Sequence, residues 1–138
     1  MGKGNMELLT KVGDGEHHMK LIRQPEGSSL CGQACVATIA GVPLAESIAA
    51  FGTKGKTRTK QVVKALRSLG IKCGDRLVKL TKENRKPHVC IVKLHFDNCK
   101  TTHWTVYNKE QYLDPDVGIL TEYPKGVRET SYLPVYLE

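Results

Sequence analysis

The sequence predicts an α+β domain in which an N-terminal helical layer packs against a C-terminal antiparallel β-sheet. Three observations lead there. Apolar residues recur at helical spacing up to Gly70, they alternate with polar residues after it, and polar turns divide the later segments. Helices come first and strands later, with no internal repeat, which argues against an alternating parallel fold.

At 138 residues and 40% apolar composition, the chain can build one compact domain and is too short for two ordinary ones. Residues 1–18 contain four glycines and a His17-His18 pair, so they read as a flexible extension before a domain spanning 19–138. From Leu30 the pattern turns helical: Cys31, Cys35 and Ile39 share a stripe, Ser28 and Ser29 are candidate caps, and Gly41 supplies a left-handed stop. Pro43 suits a first turn, and Leu44, Ile48 and Phe51 repeat at helical spacing before Gly52. A third helix starts at a Thr57 or Thr59 cap, buries Val62, Val63, Leu66 and Leu69, and stops at Gly70. Residues 71–80, 88–96, 102–107, 112–114 and 132–137 then read as strands.

No stretch approaches the roughly 18 uninterrupted apolar residues of a membrane span, and the first residues lack the apolar run of a secretory signal. The expectation is a soluble, cytoplasmic protein. Five cysteines cannot all pair within one chain, and a domain of this size does not need disulfides, so reduced thiols are expected. The formal charge is +7, and residues 54–72 carry seven basic and no acidic residues. Nucleic-acid readers interleave aromatics with such charge, and this stretch has none, so a solvated helix face or an acidic protein partner is the better reading.

A thiol attacks a carbonyl as thiolate, and a helix start favours negative charge through its free N–H groups and dipole. Cys31 occupies such a start, with Gly32 beside it to let a substrate or another backbone come close. Cys35, one turn on, reads as a small core residue. Among five histidines, His17 and His18 lie in the extension, and His88 and His95 suit surface or core imidazoles. His103 opens the apolar run His103-Trp104-Thr105-Val106-Tyr107, where a sheet would hold a base rigid.

A third residue must accept from the imidazole and fix its tautomer. Asp114 ends a short strand one hairpin later; if residues 102–107 and 111–114 pair through a turn at 108–110, it falls near His103, with Asp116 as fallback. Asp114-Pro115-Asp116 is equally a turn signature, since Asp before Pro commonly opens a turn.

Gln24, Cys31-Gly32-Gln33-Ala34-Cys35, His103-Trp104 and Leu113-Asp114-Pro115, in that order, resemble the papain-like cysteine peptidases that process double-glycine bacteriocin leaders. The resemblance runs from about Leu21 to Gly118. It implies a papain-like fold and a triad of Cys31, His103 and Asp114, with Gln24 donating its amide to the oxyanion, although the seven residues from Gln24 to Cys31 are one longer than the usual spacing. It also implies hydrolysis of a peptide or protein substrate through an acyl-thioester, without metal or other cofactor.

Two other functions fit the same residues. The triad could pass its acyl group to an amine or act on a glutamine side chain, as a transpeptidase or deamidase effector would; the domain is expected to stand free of the transporter that leader peptidases accompany. A non-catalytic binding module could use its basic face alone, or use Cys99 and His103, four apart, with Cys31 or Cys90 as zinc ligands.

Overall fold

A computed structural model of the chain describes residues 9–12 and 17–137. Within the segment expected to form a flexible extension, β1 (Leu9–Val12) pairs antiparallel with β2 (His17–Lys20), and the boundary drawn after residue 18 runs through β2. The remainder of residues 1–16 lies outside the described residues. Met19 and Leu21 sink into the main core and fasten this segment to the domain.

Three helices follow: α1 (Cys31–Ala40), α2 (Leu44–Phe51) and α3 (Thr59–Ser68). Gly41 and Gly52 end the first two in the left-handed conformation, as their positions led one to expect. Helix α1 carries small and apolar residues all round, and Gly32 to Ile39 are all buried. Its start has no side-chain cap; Ser28 accepts from Gln24 instead. Neither threonine caps α3: Arg58 holds the N-cap position, and Gln61 Oε1 reaches back to its N–H at 2.7 Å. Lys60, Lys64 and Arg67 project from α3 into solvent, while Val62, Val63 and Leu66 are buried.

The strands are β3 (Lys72–Cys73), β4 (Val78–Lys79), β5 (Val89–Phe96), β6 (Thr102–Asn108), β7 (Gln111–Asp114), β8 (Gly118–Leu120) and β9 (Val127–Tyr136). They form one sheet in the order β3-β9-β5-β6-β7-β8, with β4 also on β9, and every pairing is antiparallel. The single strand expected over 71–80 is two, interrupted where Gly74 lies so close to Pro134 that a Cβ would come 2.9 Å from its Cγ. Strand β8 was not expected, and β9 begins five residues before the 132–137 reading because its first half pairs with β5 across a register shift between Lys93 and Leu94.

The main core lies between the helices and one face of the sheet, with Val36, Leu66, Ile91, Val106, Leu113 and Leu133 all enclosed. Each such side chain contributes roughly 1.5–3 kcal/mol by leaving water. Cys90, Val92, Leu94 and Tyr132 form a second cluster, against which Tyr107 and Tyr123 pack. Because β6 alternates, Trp104 and Val106 join the main core, while His103, Thr105 and Tyr107 share the opposite parity. The described chain is thus an α+β domain with three helices and a seven-stranded antiparallel sheet.

Candidate active site

Cys31 is the first residue of α1 and is half-buried. Its neighbour is tightly packed for a glycine: a Cβ at Gly32 would collide with Thr57 Oγ1 and touch Trp104 Cδ1 at 3.4 Å. The loop bearing Thr57 is held there by Gln33, whose fully buried amide donates to Thr53 O at 2.9 Å and Gly55 O at 3.0 Å. Gln33 therefore does not face the cysteine; it fastens the loop over the start of α1.

His103 and Asp114 are brought together by strand register. Strands β6 and β7 pair Val106 with Leu113 and Asn108 with Gln111, through a two-residue turn in which Lys109 and Glu110 both have positive φ, 43° and 72°. One step beyond the last pair, Asp114 lies opposite Thr105, and His103 is two residues further on the same face. The result is a hydrogen bond of 2.8 Å between His103 Nε2 and Asp114 Oδ1. Cys31 lies near enough to help raise the pKa of the ring, and both side chains line one cavity.

Asp114 is 2% exposed. Its Oδ1 also accepts from the N–H groups of Asp116 and Val117, at 2.8 and 3.3 Å, and its Oδ2 accepts from the Tyr123 hydroxyl at 2.5 Å. The turn reading of Asp114-Pro115-Asp116 therefore does not exclude a role beside His103: one carboxylate caps its own turn and holds the imidazole. Burial alone would raise its pKa, but the hydrogen bond and charge of His103, with the Tyr123 and Asp116 donors, hold it below the ordinary value.

His103 moves the other way. Burial would lower its pKa, yet the hydrogen bond and charge of Asp114, joined by Cys31, raise it from 6.5 to about 10, which favours the imidazolium. Burial, helped by the charges of Cys31 and Asp114, pushes Cys35 well up and keeps it a thiol. Burial likewise raises Cys90 to about 12, and raises Cys73 against the pull of Arg67. Exposed Cys99 is drawn down by hydrogen bonds from Thr101. All five thiols are free.

Cys31 and His103 open onto a cavity of about 390 Å³, with Gln24, Ser28, Lys56, Thr57 and Trp104 among its walls. Gln24 is thus at the site, but its Nε2 donates to Ser28 O at 2.8 Å, and its Oε1 is buried without a partner among the described residues. Asp116 lies on the wall and gives Asp114 its backbone N–H rather than replacing it. The zinc grouping is not assembled: Cys90 is sealed in the second cluster, Cys99 lies exposed in a turn, and His103 spends Nε2 on Asp114. Among the described residues no three His, Cys, Asp or Glu side chains converge as a metal site.

Sequence reasoning missed Tyr123, Thr105 and the Gln33 clamp. Thr105 carried a signal, since it follows His103 by two and stands opposite Asp114; Tyr123 carried none. No family model matches the chain, and no curated protein does.

Proposed function

We propose that this chain is a papain-like cysteine peptidase that cleaves peptide or amide bonds through Cys31, His103 and Asp114. The observation that carries the reading is the 2.8 Å hydrogen bond between His103 and Asp114 with Cys31 on the wall of the same open cavity, a half-buried thiol at an uncapped helix start. The papain-like arrangement is supported by that helix lying against an antiparallel sheet that supplies both the base and its acceptor.

In the reaction, the Cys31 thiolate adds to the scissile carbonyl carbon, and the carbonyl oxygen becomes an oxyanion facing the free N–H groups of the α1 start and the Gln24 amide. The His103 imidazolium gives its proton to the leaving nitrogen as the C–N bond breaks, leaving a thioester. Neutral His103 then takes a proton from water, the hydroxide adds to the thioester, and the C–S bond breaks to release the acid and restore the ion pair. Asp114 stays ionised throughout and holds the ring. An amine acceptor or a glutamine substrate would use the same acylation step.

The substrate is a peptide or protein segment, and the basic residues of 54–72, among them Lys56 on the cavity wall, receive an acidic protein partner. Five free thiols suit a cytoplasmic setting, and among the described residues no single helix is long and apolar enough to cross a membrane.

Site-resolved labelling with iodoacetamide between about pH 5 and 8 tests the reading. It is done in a Cys99→Ser background, because Cys99 is exposed and thiolate-prone. We expect Cys31 to label first, and His103→Ala to slow it about 100-fold at pH 6. Cys31 labelling no faster than an ordinary thiol, or indifferent to His103, would sink the proposal.

A further inference from the structure

Asp114 uses its two carboxylate oxygens unequally. Oδ1 serves His103 Nε2 and two turn N–H groups, whereas Oδ2 meets a single donor among the described residues, the Tyr123 hydroxyl at 2.5 Å. With 2% of the side chain exposed, bulk water has little access to that second oxygen. Tyr123 Oη is also 2.8 Å from Thr105 Oγ1. A phenol has one proton, the carboxylate takes it, and the threonine hydroxyl therefore donates to Tyr123.

The ring is fixed from its other side. It meets Tyr112 edge-on with centroids 4.8 Å apart, Tyr112 packs on Tyr107 at 5.1 Å, and Lys86 Nζ closes the row 4.7 Å over Tyr107. Pro124 follows Tyr123 and narrows its backbone choices. The phenol cannot swing away without breaking up this aromatic row.

We infer that Tyr123, seated by Thr105, is a positioning residue of the triad: by occupying Asp114 Oδ2 it leaves Oδ1 to hold His103 Nε2, and so keeps the carboxylate ionised and the imidazole in its orientation. The inference rests on the cysteine-peptidase reading. Without the phenol, Oδ2 would be a buried bare oxygen, which favours taking up a proton. A neutral Asp114 no longer stabilises the imidazolium, and the thiolate loses its counter-ion.

The test is the pH profile of Cys31 labelling by iodoacetamide in the Cys99→Ser protein, with and without Tyr123→Phe, from about pH 3.5 to 8. Tyr123→Phe should move the acid limb of His103-dependent labelling up by about one pH unit, and Thr105→Val should move it the same way by less. An acid limb left in place in folded Tyr123→Phe overturns the inference, because tyrosine would then be packing alone. If Tyr123→Phe does not fold, the wild-type protein answers: the Tyr123 ring resonances should titrate with Asp114, and indifference to that titration overturns the inference equally. Labelling of the parent that ignores His103 is a different failure. It removes the peptidase reading, while the resonances still decide whether Tyr123 holds Asp114.

Discussion

The backbone N–H of Gln24 donates to Pro115 O at 2.9 Å, so the segment leading to Cys31 is tied directly to the turn that carries Asp114. Arg23 reinforces the seam, with Nε 3.2 Å from Pro115 O and Nη2 2.6 Å from Asp116 O. Gln24 therefore keeps its place on the cavity wall through its backbone, and its side chain can be changed without undoing the seam.

That separation makes Gln24→Ala an informative variant. Acyl transfer from a p-nitrophenyl ester should fall on the order of 100-fold, because the proposed reaction forms its oxyanion there. Alkylation of Cys31 by iodoacetamide forms no oxyanion and should be unchanged. Equal losses in both would show that Gln24 supports the thiol rather than the oxyanion.

Gly32→Ala should destabilise the domain by about 1–3 kcal/mol through overpacking against Thr57. Thr57 Oγ1 is buried with no hydrogen-bond partner among the described residues, so Thr57→Ala alone should cost little. The double variant should recover most of the loss, and a denaturation cycle over the four proteins measures that coupling.

Gln33→Leu leaves the volume of the side chain nearly unchanged but removes the two bonds to Thr53 O and Gly55 O. We expect a cost of about 1–3 kcal/mol. Faster amide exchange should be concentrated in residues 53–58, measured by mass spectrometry. Exchange raised uniformly over the domain would mean that Gln33 supports the core and not the loop.

Stability should depend on pH at both ends through the His103–Asp114 pair. His103 is raised from 6.5 to about 10 in the fold, so its contribution is complete below 6.5 and is lost as pH climbs to about 10. Asp114 is lowered from 3.8, so its contribution is present above that value and is lost as pH falls through the folded-state value below it. Urea midpoints across pH should therefore be highest between about 4 and 6.5 and decline on either side. In Asp114→Asn the decline above 6.5 should flatten, since the imidazolium has lost the charge that favours it.

What the sequence made legible was local. The periodic runs in α1, α2 and α3 found their helices, and a hairpin of fixed register was enough to bring Asp114 to His103. What stayed hidden depends on partners far along the chain. The first half of β9 contains Arg128, Glu129, Thr130 and Ser131, which do not read as a strand and become one only beside β5. Turn residues Lys109 and Glu110 take positive φ without the usual Asn-Gly, with Lys109 N–H held 2.7 Å from His88 O. Tyr123 reaches Asp114 by way of the chain's return after β8, and nothing in its neighbourhood marks it.

The carboxylate that caps its own turn makes the proposed reactivity conditional on folding. If the turn after β7 opens, Asp114 loses the backbone N–H groups of Asp116 and Val117 that hold it, and with them its fixed place beside His103. On the proposed reading, a nascent or partly unfolded copy of this protein would carry no assembled triad, and its chemistry would wait on the closing of one turn.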